Sequence, residues 1–154
     1  PLDRDPAAVE QDVAEGLVTD EGAARDYGVV VGDRFATEAL RAARRQERIG
    51  RNPAPPLEEP PAGQRRSSTV VLADSRYLCR RCGHNHGPIT KPLVSLLTLV
   101  RSPIDERTPW PSARPGADRF EIRRLYCPAC AVQVDVQVAL ADAPLLETAE
   151  LIDV

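Results

Sequence analysis

The spacing of apolar and polar residues divides the chain into three regions with different predicted structures. Residues 1–50 carry apolar side chains at helical intervals, residues 51–68 are rich in proline, and residues 69–154 contain short runs of alternating apolar and polar residues. Helical spacing predicts amphipathic helices, and alternation predicts half-buried strands. The pattern therefore predicts an α+β protein: a short helical N-terminal arm, a proline-rich linker and a small, mostly antiparallel β domain.

The arm begins with a helix-start signal. Asp5 can cap a helix whose first residue is Pro6, a position where no N–H is needed. Val9, Val13 and Leu17 follow at helical spacing and predict one apolar stripe along this helix.

Two further helices are predicted in the arm. Thr19 can cap the second, and Gly28 can end it in a left-handed conformation. The run VVV at 29–31 predicts a short buried strand, and residues 35–49 predict the third helix. Its thin apolar face is expected to consist of Phe35, Ala39, Ala42 and Ile49. Because this apolar surface is small, we expect the arm to dock on a larger partner.

The linker at 51–68 contains five prolines, which exclude regular helix and favour extended structure. We interpret it as a semi-rigid tether, and a ligand for a proline-recognition domain is the less favoured alternative.

The β region, residues 69–154, contains the clearest strand signal of the chain. Residues 132–140 alternate valine with glutamine and aspartate, which is typical of a half-buried strand. The more ambiguous run at 91–101 is interpreted as a strand, and residues 102–118, with four prolines, as a long loop. The strand-like runs at 69–79 and 119–127 each lead into a CxxC pair.

The two CxxC pairs are the strongest chemical signal in the sequence. Cys79 and Cys82 form the first pair, and Cys127 and Cys130 the second. A CxxC at the tip of a β-hairpin turns both sulfurs to one side, and two such knuckles make a tetrahedral four-sulfur site, which suits Zn²⁺ best and iron next. A thioredoxin-like redox pair needs a βαβ context that is lacking here, and structural disulfides are disfavoured without an export signal. We therefore predict a structural zinc site, which leaves no open position for a substrate.

Two histidines and two turn residues lie beside the cysteines. His84 and His86 can be metal ligands in place of a cysteine, or polar turn residues that hydrogen-bond a sulfur, and we prefer the second interpretation. Catalysis by a Cys–His pair is disfavoured, because a thiolate held by zinc is no longer a free nucleophile. Gly83 fits a tight turn that needs a positive φ, and Ala131 is the weaker match at the equivalent place in the second pair. The sequence offers no phosphate loop and no nucleophile elbow, so we assign no catalytic residue.

Charge and hydropathy limit the possible partners. The formal net charge is −3, with a strongly acidic stretch at 1–33 and a basic one at 34–51. Nucleic-acid-binding domains usually carry a basic excess, so a zinc-ribbon nucleic-acid protein is a minor alternative. We expect no membrane partner, since no apolar run approaches the roughly 18 residues of a spanning helix. The cytoplasm is the default location.

The arm resembles a known family. The stretch PLDRDPAAVEQDVAEGLVTDEGAARDYGVVV (residues 1–31) is similar to the carboxy-terminal tail of hydantoinase B/oxoprolinase-type subunits, and the likeness continues weakly to about residue 49. In that family a glycine-rich segment and a large domain precede the tail. Both are absent here, so the substrate and metal residues of the family do not carry over.

The β region resembles a second family. Residues 70–154 are similar to the γ subunit of acetone and acetophenone carboxylases, small zinc-binding proteins with two CxxC pairs beside β-strands. The resemblance implies that Cys79, Cys82, Cys127 and Cys130 are zinc ligands. It also extends to the terminal segment DAPLLETAELIDV.

Together the two resemblances imply one class of assembly, in which ATP cleavage drives carboxylation of a ketone or opening of a cyclic amide. ATP and a catalytic divalent metal are then expected only on partner chains, large hydantoinase A-type and B-type subunits. We therefore expect a zinc-binding, non-catalytic subunit of an ATP-dependent ketone carboxylase in a hetero-oligomer. The alternatives are an accessory subunit of a hydantoinase or oxoprolinase and, less favoured, a rubredoxin-like electron carrier.

Overall fold

The computed structural model describes residues 1–104 and 119–147. The chain forms two compact units, Pro1–Pro53 and Ala54–Val154. The first unit is helical and the second contains two antiparallel sheets, so the predicted α+β class is confirmed. Within the described residues, no helix is long and apolar enough to cross a membrane.

Helix α1, Pro6–Ala14, starts as the sequence predicts. The Asp5 carboxylate accepts a hydrogen bond from the Ala7 N–H, and Pro6 occupies the first turn. Val9 is fully buried, and Val13 packs against the same small core. The predicted stripe is wrong at Leu17, which lies beyond the end of the helix and is exposed.

Helix α2, Asp20–Gly22, continues as a π-helical turn, Ala23–Tyr27. Thr19 caps it and Gly28 ends it at φ 62°, as predicted. The predicted strand at 29–31 is wrong. Both the N–H and the carbonyl of Val30 bond the Thr37 hydroxyl, so a side chain takes the place of a neighbouring strand.

Helix α3, Arg34–Ile49, is confirmed as a helix, but the predicted apolar face is wrong. Phe35 is 84% exposed, and the face packed on the unit carries Thr37 and Arg45. The guanidinium of Arg45 donates to the Leu2 carbonyl at 2.8 Å and to the Asp3 carboxylate at 2.9 Å. Arginine is buried on this face because its long stem packs while its head satisfies backbone carbonyls.

The second unit contains two antiparallel sheets. The first sheet joins β1 (Gln64–Arg65), β2 (Val70–Ala73), β3 (Arg76–Cys79) and β4 (Asn85–Pro88) in that order. The second joins β5 (Thr98–Pro103), β6 (Phe120–Tyr126) and β7 (Gln133–Leu140). The strand predicted at 91–101 starts only at Thr98, after a 3-10 turn at Leu93–Leu96. The predicted loop at 102–118 begins inside β5, and its residues 105–118 lie outside the described part of the chain.

Strand β7 is confirmed, but only the first part of its valine face is covered, where Val134 packs against the cysteine cluster. Val136 and Val138 are 49% and 58% exposed, whereas Gln137 on the other face is only 8% exposed. The segment after β7 folds back over the polar face. There the Gln137 amide bonds the backbone of Leu146, and the buried Arg123 on β6 donates to the carbonyls of Leu140, Ala143 and Pro144.

Candidate metal centre

The four cysteine sulfurs meet in one cluster. They all lie within 4.8 Å of one another, with Cys79 Sγ 3.7 Å from Cys130 Sγ and Cys82 Sγ 3.9 Å from Cys127 Sγ. All four cysteines are free thiols, and their sulfurs are far beyond the roughly 2.05 Å of a disulfide bond. A tetrahedron with metal–sulfur distances of about 2.3 Å has sulfur–sulfur edges of about 3.8 Å. The cluster therefore has the dimensions of a four-coordinate metal site and can hold a metal ion.

The first knuckle is the turn between β3 and β4. Gly83 donates its N–H to the Cys79 carbonyl at 2.9 Å, and Cys79 donates to the His84 carbonyl at 2.8 Å. Inside this turn, the N–H of Cys82 bonds the sulfur of Cys79, and the N–H of His84 bonds the sulfur of Cys82. Both bonds favour the thiolate form that binds a metal.

The second knuckle, between β6 and β7, repeats this pattern. Ala131 donates to the Cys127 carbonyl and Cys127 to the Val132 carbonyl, both at 2.9 Å. The N–H of Cys130 bonds the sulfur of Cys127, and the N–H of Val132 bonds the sulfur of Cys130. The two hairpins therefore present equivalent pairs of sulfurs to a common centre.

The backbone at both turns requires a positive φ. Gly83 has φ 72° and Ala131 has φ 58°. The sequence prediction for Gly83 is confirmed, and Ala131 adopts the same conformation although it carries a Cβ. The knuckle geometry thus tolerates an unfavourable residue at the second turn.

Within the cluster, the pKa values of two cysteines shift in opposite directions. Hydrogen bonds with Cys130 and then Cys79, together with burial, raise the pKa of Cys127, and hydrogen bonds from Cys127 and Cys79 lower the pKa of Cys130. The pKa values move in opposite directions because thiolates crowded in a small, largely buried space repel each other. A divalent cation bound by the sulfurs would replace their protons and offset the repulsion between the thiolates.

The surroundings of the cluster are apolar. Cys79, Cys127 and Cys130 are fully buried and form one hydrophobic cluster of the second unit together with Val132. Cys82 is the one half-buried ligand candidate among the four.

The two histidines lie outside the four-sulfur group. His86, on β4, is only 8% exposed, and its ring meets that of His84 edge to face at 5.2 Å. Both ring nitrogens of His86 are buried without a hydrogen-bond partner. Burial, followed by the neighbouring His84, lowers the pKa of His86 to about 4, so its ring is neutral at physiological pH. The backbone N–H of His84 bonds the sulfur of Cys82.

The predicted tether makes contacts that the sequence analysis missed. Ala54 donates its N–H to the Ala129 carbonyl and Leu57 donates to the Arg81 carbonyl, each at 2.7 Å. Ala54 also packs against the cysteine core. The positions of the prolines could have indicated which residues of this segment make backbone hydrogen bonds. In the sequence APPL at 54–57, only the first and last residues possess an N–H, and both are used.

Comparisons with known proteins return no relative: no family model matches the chain, and no curated protein matches it.

Proposed function

We propose that this chain is a structural zinc protein that works as a non-catalytic assembly subunit of an ATP-dependent ketone carboxylase of the acetone/acetophenone type. The observation that carries the zinc assignment is the cluster geometry. Sulfur separations of 3.7 and 3.9 Å on two equivalent knuckles match a tetrahedral four-thiolate site.

Zinc is favoured over iron by chemistry and by location. Zn²⁺ has no geometric preference beyond that set by its ligands and accepts four thiolates in structural sites, and it stays bound without redox chemistry. Free thiols fit the reducing cytoplasm, where we place the protein. An iron-containing rubredoxin-like protein would be coloured, so the absorption spectrum of the purified protein separates the two metals.

A closed shell supports a structural role. Four cysteine ligands fill the coordination sphere, and no position is left for water or a substrate. The metal then joins two hairpins whose cysteines pack together in one buried cluster with Val132. In such modules metal binding supplies much of the folding free energy.

The assembly role rests on the sequence resemblances and is supported by uncovered apolar surface. The arm resembles a B-type tail and the second unit resembles a carboxylase γ subunit, which implies partners of the hydantoinase A and B types. The open face of the second sheet exposes Phe120, Val136 and Val138, and α3 exposes Phe35. Exposed apolar side chains grouped on one face are typical of protein interfaces. An accessory role in a hydantoinase or oxoprolinase complex is the alternative.

The test has two parts. Metal analysis of the purified chain should give one zinc per chain. Co-purification from the native host should recover large A-type and B-type subunits, identified by mass spectrometry. Val138→Lys should weaken this recovery. Leu146 is exposed in the same unit but lies outside the sheet, so Leu146→Lys should leave the recovery unchanged. Loss of zinc binding would overturn the metal assignment, and recovery of no A-type or B-type chain would overturn the assembly role.

A further inference from the structure

Residues 54–57, here called the strap, link the two knuckles. Their first N–H bonds the carbonyl of Ala129 inside the second knuckle, and their last N–H bonds the carbonyl of Arg81 inside the first. Pro55 and Pro56 between them have no N–H, and their fixed φ keeps the segment extended. The strap therefore has only two backbone donors, and each is committed to a different cysteine pair.

The strap contacts the most accessible side of the sulfur cluster. Cys82 is the half-buried cysteine, while the other three are fully buried. Leu57 bonds Arg81, the residue before Cys82, and its Cδ1 lies 3.1 Å from the position that a Cβ would take on Gly83, the residue after it. Leu57 is thus seated against both neighbours of the ligand that solvent can reach.

We propose that the strap controls metal exchange at this centre and that Cys82 is the ligand that leaves first. The inference rests on the proposed zinc site. When the strap separates from the first knuckle, Arg81 and Gly83 lose their packing and Cys82 can swing outward. A donor atom of an incoming chelator or acceptor then takes the coordination position that the Cys82 thiolate vacates, and the thiolate takes a proton from solvent. The three buried sulfurs follow only after this step.

The test measures zinc release from the full chain to excess chromogenic chelator. Leu57→Pro removes the N–H that bonds Arg81, and Ala54→Pro removes the one that bonds Ala129. Each should accelerate release about fivefold, the factor expected for one net backbone hydrogen bond. Leu57→Ala keeps the N–H but removes the packing on Gly83, so it tests the side chain separately if a proline variant fails to fold. Pro60→Ala is the matched control, because Pro60 is an exposed proline outside the strap, and this variant should release zinc at the wild-type rate.

A second readout identifies the leaving ligand. The zinc-loaded protein is treated briefly with iodoacetamide, and the alkylated cysteines are mapped by mass spectrometry. Cys82 should be modified first, and faster in Leu57→Ala than in Pro60→Ala.

The possible outcomes separate the two proposals. If the wild-type chain holds no zinc, the proposed function fails. If zinc is present at one per chain but the Leu57 and Ala54 variants release it at the wild-type rate, or another cysteine is alkylated first, only the role of the strap is overturned.

Discussion

Gly83 and Ala131 occupy equivalent places in the two knuckles but suit their backbone differently. Both have a positive φ, at 72° and 58°, and only glycine adopts this region without a steric penalty. The Ala131 methyl is fully buried, so its contribution to packing offsets part of that penalty. The same turn is therefore stabilised in two ways: Gly83 adopts the positive φ without strain, and Ala131 offsets the strain by packing.

Gly83→Ala should lower the free energy of unfolding of the zinc-loaded protein by about 1–2 kcal/mol, the cost of a left-handed residue that carries a Cβ. The added methyl would also press on Leu57 Cδ1 at 3.1 Å. Denaturant unfolding with excess zinc measures the change. Ala131→Gly is the control, and its stability should stay within about 1 kcal/mol of wild type because strain and packing are lost together. A Gly83→Ala protein as stable as wild type would contradict this account.

His86 should make stability depend on pH. Its native pKa is lowered to about 4 by burial and by His84, whereas an unfolded histidine has a pKa near 6.5. As the pH falls from about 6.5 towards 4, the unfolded chain binds a proton that the native chain does not, so the free energy of unfolding decreases. His86→Phe should remove this component. Because both proteins keep the same four cysteines, the difference between their pH profiles between pH 4 and 7 isolates the histidine, and parallel profiles would rule the effect out.

Among the elements, β6 carries the polar anchor of the second sheet. Arg123 is fully buried. Its guanidinium donates to the Glu121 carboxylate, to the carbonyl of Leu140 at the end of β7, and to carbonyls of the segment that follows β7. A buried cation with this many acceptors is stable only while all of them are present. Because Arg123 holds the segment after β7 against its own face of the sheet, that face is covered, and Val136 and Val138 on the other face are exposed.

Arg123→Met should therefore destabilise the protein by more than about 3 kcal/mol, because it removes the buried donor of four backbone carbonyls and one of the two arginines that pair with Glu121. Hydrogen exchange should show loss of protection at Leu146, whose N–H bonds Gln137. Arg101→Met is the matched control, since Arg101 also pairs with Glu121 but is half exposed, and it should cost less than about 1 kcal/mol. Equal losses of stability in the two variants would show that the burial of Arg123 does not increase its contribution to stability.

The elements also show which features a sequence can predict. Asp5, Thr19 and Gly28 act on residues within one helical turn, and the knuckles are local turns, so both were predictable. The exposed faces of α3 and β7 were not. Which face of each element is buried depends on bonds to distant residues, such as Arg45 to Leu2 and Gln137 to Leu146. Such bonds leave no periodic pattern in the sequence.

At the scale of the whole molecule, the two units have cores of different chemistry. Val9, Ala23 and Val29 form a buried cluster in the first unit, and Cys79, Cys127, Cys130 and Val132 form one in the second. The CxxC spacing predicted that the four cysteines come together in the second unit. The sequence did not indicate that Ala54 packs against this core, because alanine in a proline-rich stretch carries no signal of burial.

Removal of the metal should therefore affect one unit selectively. Three of the four buried residues in the cluster that joins the two knuckles are cysteines, and metal binding in such modules supplies much of the folding free energy, so chelation should unfold both sheets. Hydrogen exchange followed by mass spectrometry should show that β3 and β7 lose protection. The amides of α1 and α3 should keep whatever protection they had in the zinc-loaded protein, because no ligand lies in their unit. Added zinc should restore the sheets, which controls for irreversible oxidation of the thiols. If β3 and β7 keep their protection after complete chelation, the sheets are stable on hydrophobic packing alone and the metal is not structural. If the helices lose protection in step with the sheets, the two units fold as one cooperative body.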